Sequence, residues 1–270
     1  MIPQADIVAW RRAAPWADDG MVEQDLVLTR AVVEIFSDAT LAAALAVRGG
    51  TALQKLVLLP ARRYSEDIDL VQVEASPIGA VLDRLHARLD PWLGEPTRDV
   101  TQAAVTLFYR FESEIPPTRR LRLKVEINTR EHFTVYGYVV RPHEVVSRWF
   151  GGRADIRTYV LDELLATKLR ALYQRRRGRD LFDLWDATTR GEVDPGKVVK
   201  AFGAYLKREG LRGTRAEFER NLAAKARNKA FLHEMRPMLA PGVEYDPLGA
   251  LDLVHREFIR RLPGEAWRGS

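Results

Sequence analysis

The spacing of hydrophobic residues divides the chain into a mixed first part and a helical second part. In the first part, apolar positions predict helices at 23–36, 51–56 and 78–89, and strands at 45–48, 68–73, 105–111, 121–127, 135–140 and 157–161. The segments 105–111 and 121–127 alternate so regularly that we predict them to be antiparallel neighbours.

After residue 160, one predicted helix follows another. These helices span 161–174, 179–188, 195–209, 214–226 and 248–261, and the breaks between them contain glycine or a Pro-Gly pair. This order of elements predicts an α+β protein, with a sheet domain at 1–160 and a mostly helical domain at 161–270.

Composition and charge exclude several classes of protein. The 270 residues include no cysteine, which excludes disulfides, a thiol nucleophile and a cysteine-ligated zinc site. No apolar stretch approaches the roughly 20 residues of a membrane span, and the N-terminus lacks a signal-peptide core, so we expect a soluble, cytoplasmic protein with no membrane partner. The net charge of +5 favours a polyanionic partner only weakly. The glycine fingerprints of P-loop and dinucleotide-binding proteins are absent, as is the nucleophile elbow of hydrolases.

Two adjacent glycines separate the strand at 45–48 from the helix that follows. Gly49 and Gly50 have no Cβ atoms, so an anion can approach the backbone N–H groups of this turn closely, and Thr51 adds a hydroxyl. The turn predicts a phosphate-binding loop. The alternative is a tight turn that needs glycine only for its dihedral angles.

Two aspartates occupy alternate positions at the start of the strand predicted at 68–73. Asp67 and Asp69 are two residues apart, so on a strand both carboxylates leave the same face. Two neighbouring carboxylates attract a hard divalent cation such as Mg²⁺, which also binds substrate phosphates. Glu126 would complete a metal triad if the strand at 121–127 pairs beside this one. A solvated polar strand face is the alternative for Glu126.

A lysine interrupts the apolar stripe of the helix predicted at 161–174. Lys168 follows Leu164 by four residues and Leu165 by three, which places its ammonium group among leucines. Burying that charge without a partner is costly. The side chain therefore either reaches out to water or faces an anion such as a triphosphate.

Basic residues are concentrated at two further places, the polar face of one strand and a turn between two helices. They are Arg120, Arg122, Lys124, Arg175, Arg176, Arg177 and Arg179. Both groups predict contacts with an RNA backbone or a triphosphate, although part of the turn is equally typical of a solvated charge cluster. Asp180 and Asp183 follow the turn on one helix face, where Asp180 can cap the helix start.

In their order and spacing, these segments resemble the AbiEii/AbiGii family of nucleotidyltransferase toxins, which includes the MenT toxins of toxin–antitoxin systems. The resemblance covers roughly residues 45–190. It rests on Gly49-Gly50-Thr51-Ala52-Leu53 with Lys55, Arg63-x-Ser65-x-Asp67-x-Asp69-Leu70, Val125-Glu126-Ile127, Leu165-Ala-Thr-Lys168-Leu-Arg-Ala171 and Arg179-Asp180-x-x-Asp183-Leu. The chain beyond residue 190 carries no matching motif.

The resemblance implies a fold similar to the DNA polymerase β-type nucleotidyltransferases, with a helical domain that closes the active-site cleft. It implies Mg²⁺ bound by Asp67, Asp69 and Glu126. Lys168 and either Asp180 or Asp183 are implied to be catalytic as well. The implied nucleotide ligands are Gly49, Gly50, Thr51, Lys55, Ser65 and Lys168.

The implied activity is transfer of a nucleotide from a nucleoside triphosphate to RNA, in particular to the acceptor end of tRNA, which would block translation. Glu126 is the residue expected to help deprotonate the attacking 3′-hydroxyl. A cognate antitoxin protein would neutralise the enzyme. Two alternatives stay open: the same fold acting on a protein hydroxyl or a small molecule, and a non-catalytic RNA-binding regulator.

Overall fold

The computed structural model describes residues 2–191 and 193–269. The chain divides into two compact units, Met1–Tyr159 and Val160–Ser270. A β-sheet with helices forms the first unit, and helices with their connections form the second. The predicted α+β fold is therefore confirmed.

Among the described residues, seven strands of the first unit form one mixed sheet. They are β1 (Leu45–Arg48), β2 (Asp67–Gln72), β3 (Thr97–Val100), β4 (Ala104–Glu112), β5 (Arg120–Asn128), β6 (Tyr138–Val146) and β7 (Gly151–Tyr159). Their order across the sheet is β3-β4-β5-β2-β1-β7-β6. β2 is parallel to β5 and β1 is parallel to β7, whereas the other neighbours are antiparallel. β2 and β5, which carry predicted site residues, and β1, which directly precedes Gly49, are thus adjacent at the centre.

The α-helices of the sheet unit are α1 (Gln4–Trp10), α2 (Asp19–Phe36), α3 (Ala39–Ala44), α4 (Gly49–Ala52) and α5 (Gly79–Leu93). α4 continues directly as a π-helical turn, Leu53–Val57. The Asp18 side chain caps the start of α2 by accepting a hydrogen bond from a backbone N–H, which satisfies one of the unpaired donors at that end.

The residue pattern of β5 shows which face of the sheet is buried. Leu123, Val125 and Ile127 are inaccessible to solvent, whereas the residues between them are half-buried or exposed. The buried face packs against α2. The opposite face of the central strands carries polar side chains, so the candidate site lies there.

Predictions for the edges of the sheet were the least accurate. β3 escapes prediction because all four of its residues are exposed and show no alternation. The strand predicted at 135–140 is Tyr138–Val146, and the one predicted at 157–161 is Gly151–Tyr159, so both predicted ranges are wrong. β6 is an edge strand with little burial, and its hydrophobic pattern is correspondingly weak. The predicted antiparallel pairing of β4 and β5 is confirmed.

The α-helices of the helical unit are α6 (Leu161–Gln174), α7 (Gly178–Arg190), α8 (Pro195–Arg208), α9 (Arg215–Ala226), α10 (Lys229–His233) and α11 (Pro247–Glu257). Asp194, Thr214 and Asp246 cap the starts of α8, α9 and α11 through their side chains. Gly191 ends α7 with φ +88°, a conformation that suits glycine. No helix in the described ranges has the length and apolar character needed to cross a bilayer.

Candidate active site

The register between β2 and β5 brings three carboxylates onto one face of the sheet. Asp67 lies opposite Lys124, and Asp69 lies opposite Glu126. Residues that pair directly across two strands project to the same face, so Asp67, Asp69 and Glu126 emerge together on the polar face. The pairing on which a role for Glu126 depends is present.

Lys124 supplies a positive charge to this group of carboxylates. Its Nζ lies 2.6 Å from a carboxylate oxygen of Glu126. Burial alone would lower the pKa of Lys124, but the hydrogen bond and charge of Glu126, with the charges of Asp67 and Asp69, raise that pKa above its ordinary value. The carboxylates share one ammonium group, which reduces their mutual repulsion.

Gly49 brings the backbone into contact with Asp69. Arg48, the last residue of β1, pairs with Asp69 across the sheet. Gly49 then adopts φ +74°, in the left-handed region that favours glycine. A Cβ atom at Gly49 would overlap a carboxylate oxygen of Asp69. Glycine is therefore required here both for its dihedral angle and for the close approach of the Asp69 carboxylate.

Thr51 and Ser65 are buried beside this turn, at 1% and 7% exposure. The Thr51 hydroxyl donates to the backbone carbonyl of Asp67, and it lies 3.0 Å from the Ser65 hydroxyl oxygen. Gly50 contacts the buried Arg63, whose guanidinium a Cβ atom at Gly50 would overlap. These hydroxyls hold the start of β2 against α4. The structure gives them an internal role where the family resemblance implies contact with a triphosphate.

Lys55 forms an ion pair inside the sheet unit. Its Nζ lies 2.6 Å and 2.7 Å from the two carboxylate oxygens of Asp25, which is inaccessible to solvent. The same carboxylate accepts hydrogen bonds of 2.9 Å from the indole nitrogens of Trp10 and Trp16. The pair thereby anchors the N-terminal segment to α2. We therefore leave Lys55 out of the nucleotide site proposed below.

Lys168 has its partners within the helical unit. Its Nζ lies 3.3 Å from Asp180 and 2.9 Å from Asp183, and both carboxylates are fully buried. Arg175 donates to the Asp180 carboxylate through two nitrogens, at 2.8 Å and 3.0 Å. Burial alone would raise the pKa of Asp180, but the charge of Lys168 and the hydrogen bond from Arg175 lower it. Lys168 thus neither reaches water nor lacks an anion, because both aspartates of the motif face it.

The basic turn between α6 and α7 is partly solvated. Arg175, Arg176 and Arg177 are exposed, and Arg179 is half-buried. Burial, and after it the positive charge of Arg176, lower the pKa of the buried Lys225 to about 8. At Lys225, the positive charge of Arg176 therefore outweighs the opposing effect of Asp180.

Two further residues on the polar face escaped the sequence prediction. Phe108 lies opposite Lys124, and Arg110 lies opposite Arg122, so both share the face of the carboxylates. The signal for them is the alternation of 105–111, in which Val105, Leu107 and Tyr109 are buried and the residues between point the other way. Among the residues that point outward, an aromatic side chain such as Phe108 is the signal from which the sequence could have predicted a binding surface.

The family follows from a comparison with known protein families. The profile described as "Nucleotidyl transferase AbiEii toxin, Type IV TA system" matches residues 30–252, which is most of the chain. The chain belongs to this family. Nucleotidyltransferase toxins of toxin–antitoxin systems are therefore its relatives, as the resemblance implies.

One solved structure supports the fold of this AbiEii-family chain. It is similar to MenT4, a nucleotidyltransferase toxin from Mycobacterium tuberculosis H37Rv, with a TM-score of 0.64 and 16% identity, over 98% of this chain and 91% of that one. A nucleotidyltransferase-like antigenic protein from Paracoccidioides brasiliensis aligns with a TM-score of 0.38 and 16% identity, over 76% of this chain and 96% of that one. A search of curated proteins found no match.

The AbiEii motif residues fall into two clusters in this chain. The first unites Asp67, Asp69 and Glu126 on the central strands of the sheet unit with Gly49, which follows β1. The second unites Lys168 with Asp180 and Asp183 between α6 and α7. Within the described residues, no three histidine, cysteine, aspartate or glutamate side chains are grouped as a metal site, and Glu126 is engaged with Lys124.

Proposed function

We propose that this AbiEii-family chain is a Mg²⁺-dependent enzyme that transfers a nucleotide from a nucleoside triphosphate to the 3′ acceptor end of tRNA. It would act in the cytoplasm as a toxin that blocks translation, and a cognate antitoxin protein would neutralise it. The observation that carries the proposal is the face on which Asp67, Asp69 and Glu126 lie together, with Gly49 packed against Asp69.

The donor set of this face fits Mg²⁺. Asp67 and Asp69 offer hard carboxylate oxygens from alternate positions of one strand, and the Gly49 turn leaves no side chain over the Asp69 carboxylate. Asp67 and Asp69 would hold the ion, and Glu126 would share its carboxylate between the ion and Lys124. When bound there, Mg²⁺ offsets negative charge on the triphosphate and on the departing pyrophosphate.

The protein's own residues account for the other parts of the reaction. The acceptor hydroxyl oxygen forms a bond to the α-phosphorus, the bond from that phosphorus to pyrophosphate breaks, and the hydroxyl proton moves to Glu126. Lys124, held 2.6 Å from Glu126, orients that carboxylate and adds positive charge beside the phosphates. Asp67 and Asp69 would contribute by holding the ion on the polar face of the sheet.

Nucleotide transfer is tested with the purified protein, total tRNA, Mg²⁺ and each α-labelled nucleoside triphosphate in turn. The variant is Asp69→Asn, which removes the charge and keeps the shape of the side chain. We expect it to lose transfer by about 100-fold or more. The matched control is Asp155→Asn, which changes an exposed aspartate on β7 of the same sheet and should leave transfer unchanged.

The outcome also identifies the acceptor. Label in tRNA that Asp69→Asn abolishes and Asp155→Asn retains would support the proposal. Label in protein or in a small molecule would support nucleotide transfer and contradict tRNA as the acceptor. An absence of transfer to RNA, protein and small molecules would overturn the proposal in favour of a non-catalytic RNA-binding regulator.

A further inference from the structure

The carboxylate face of the sheet continues along β5 onto β4. Four pairs of opposed residues share this face, and running away from the carboxylates they are Thr106 with Glu126, Phe108 with Lys124, Arg110 with Arg122, and Glu112 with Arg120. The pairs belong to one antiparallel ladder, so their side chains stand in a row. A strand of acceptor that leaves the carboxylates in this direction would meet each pair in turn.

In one pair of this row, two positive charges oppose each other without a carboxylate partner. Lys124 is paired with Glu126, and Arg120 lies opposite a glutamate. Arg110 and Arg122, in contrast, oppose each other directly, and like charges in that position destabilise a sheet. Within residues 2–191 and 193–269, neither of these guanidinium groups forms an ion pair, and the partner of Arg110 is the uncharged Thr97 hydroxyl, to which it donates a hydrogen bond of 2.5 Å. A like-charged pair that the fold itself does not neutralise indicates an anionic ligand.

An aromatic ring lies beside these two charges, in the next pair of the row. The guanidinium carbons of Arg122 and Arg110 are 5.2 Å and 5.8 Å from the centre of the Phe108 ring, within the range of a cation–π contact. Phe108 is half-buried, although it stands on the polar face of the sheet. An aromatic ring with two guanidinium groups near it is typical of surfaces on which unpaired nucleic-acid bases stack.

We propose that Phe108, Arg110 and Arg122, named here the stacking platform, bind an unpaired segment of the acceptor RNA upstream of its reacting 3′-hydroxyl. The inference rests on the proposed function and adds to it that the acceptor must be single-stranded at this point. Arg122 is four residues from Glu126, about 13 Å along the strand. The platform therefore contacts a part of the acceptor other than the reacting end, and it affects binding of RNA more than the chemical step.

Binding is tested by fluorescence anisotropy with a fluorescein-labelled single-stranded RNA and a blunt duplex of the same sequence. Phe108→Ala should weaken binding of the single strand by roughly 5- to 150-fold and leave the duplex nearly unchanged, because stacking needs an unpaired base. Phe108→Tyr should bind as the wild type does. Arg122→Ala should reduce the salt dependence of binding by about one phosphate contact.

The control for charge is Arg98→Ala. Arg98 is an exposed arginine of β3, but it pairs with Leu107 and so projects to the other face of the sheet. We expect this variant to bind the single-stranded RNA as the wild type does. The stacking platform is ruled out if Phe108→Ala binds single-stranded RNA as tightly as Arg98→Ala, or if it weakens single strand and duplex equally.

Transfer kinetics separate this inference from the proposed function. With tRNA as acceptor, Phe108→Ala should raise KM for tRNA and keep kcat near the wild-type value. If the wild type transfers nucleotide but Phe108→Ala has the same KM, the stacking platform is contradicted and the proposed function is supported. If the wild type transfers no nucleotide but Phe108→Ala selectively loses single-strand binding, the stacking platform is supported and the proposed function is contradicted.

Discussion

The position of the Asp69 carboxylate depends on one residue of a neighbouring strand end. Gly49 has φ +74°, and a Cβ atom there would overlap a carboxylate oxygen of Asp69. Catalytic groups lose much of their effect when they move by about 1 Å. The absence of a side chain at residue 49 is therefore as important to the site as the carboxylate itself.

We predict that Gly49→Ala loses nucleotide transfer by about 100-fold while the protein stays folded. The added methyl group displaces Asp69, and the left-handed conformation of an alanine costs about 1–2 kcal/mol, which most domains tolerate. Transfer to tRNA and the urea midpoint would be measured together.

Gly203→Ala is the matched control for this change. Residue 203 lies inside α8, where an added Cβ atom meets no atom within 4 Å. This variant should gain roughly 0.5–1 kcal/mol of stability from helix propensity and keep its activity. Equal transfer rates in the two variants would mean that the turn does not position Asp69.

At the scale of elements, sequence prediction succeeded where burial imposes a regular pattern. The range of α6 was predicted to the residue, and the alternation of β5 correctly identified its buried face. The edge strands β3 and β6 were missed or misplaced because an edge strand need not bury alternate residues. The pairing of β2 with β5, on which Glu126 depends, could not be predicted because register between distant segments leaves no local signal.

Ion-pair partners within the elements were equally hidden from the sequence. Lys168 and Lys55 each stood out as candidate ligands of an external phosphate, but each faces a buried carboxylate of its own unit. A lysine in an apolar stripe indicates that an anion is near, and it does not indicate whether that anion is a ligand or an aspartate. Only tertiary structure distinguishes the two.

We predict that Lys168→Met destabilises the protein by about 3–5 kcal/mol, because it leaves Asp180 and Asp183 buried with less compensating charge. The measurement is urea unfolding followed by far-ultraviolet circular dichroism. Lys197→Met, at an exposed ion pair 4.0 Å from Asp162, should change stability by less than about 1 kcal/mol.

A second substitution distinguishes this explanation from a simple loss of packing. Asp183→Asn added to Lys168→Met removes one of the buried charges left without its lysine, so it should restore part of the lost stability. If the double variant is less stable than Lys168→Met by the full effect of Asp183→Asn alone, the two residues do not interact and the ion-pair explanation fails.

At the scale of the whole molecule, the buried Glu23 and the half-buried His143 of the sheet unit give opposite contributions to the pH dependence of stability. Burial raises the pKa of Glu23, whose carboxylate accepts hydrogen bonds of 3.1 Å from the backbone N–H of Glu114, to about 7. Burial, and after it the charge of Lys55, lower the pKa of His143 to about 4. Within the described residues, Nε2 of His143 is buried and has no hydrogen-bond partner.

As the pH changes, these two pKa shifts change the free energy of unfolding in opposite directions. Between pH 4.5 and about 7, folded Glu23 keeps a proton that the unfolded chain releases, so its contribution to stability grows as the pH falls. Between pH 6.5 and about 4, the unfolded chain protonates His143 and the folded protein does not, so that contribution shrinks as the pH falls. The two effects oppose each other over the shared range.

Removing Glu23 and removing His143 should therefore change the slope of stability against pH in opposite directions. Relative to the wild type, Glu23→Gln should lose stability as the pH falls from 6.5 to 4.5, and His143→Gln should gain it, each with a slope of up to about 1.4 kcal/mol per pH unit. The double variant should regain the wild-type slope, because it lacks both groups and all other titrating groups are shared. Urea midpoints at several pH values in this range measure the slopes, and parallel profiles for the two single variants would show that neither group is buried as the structure has it.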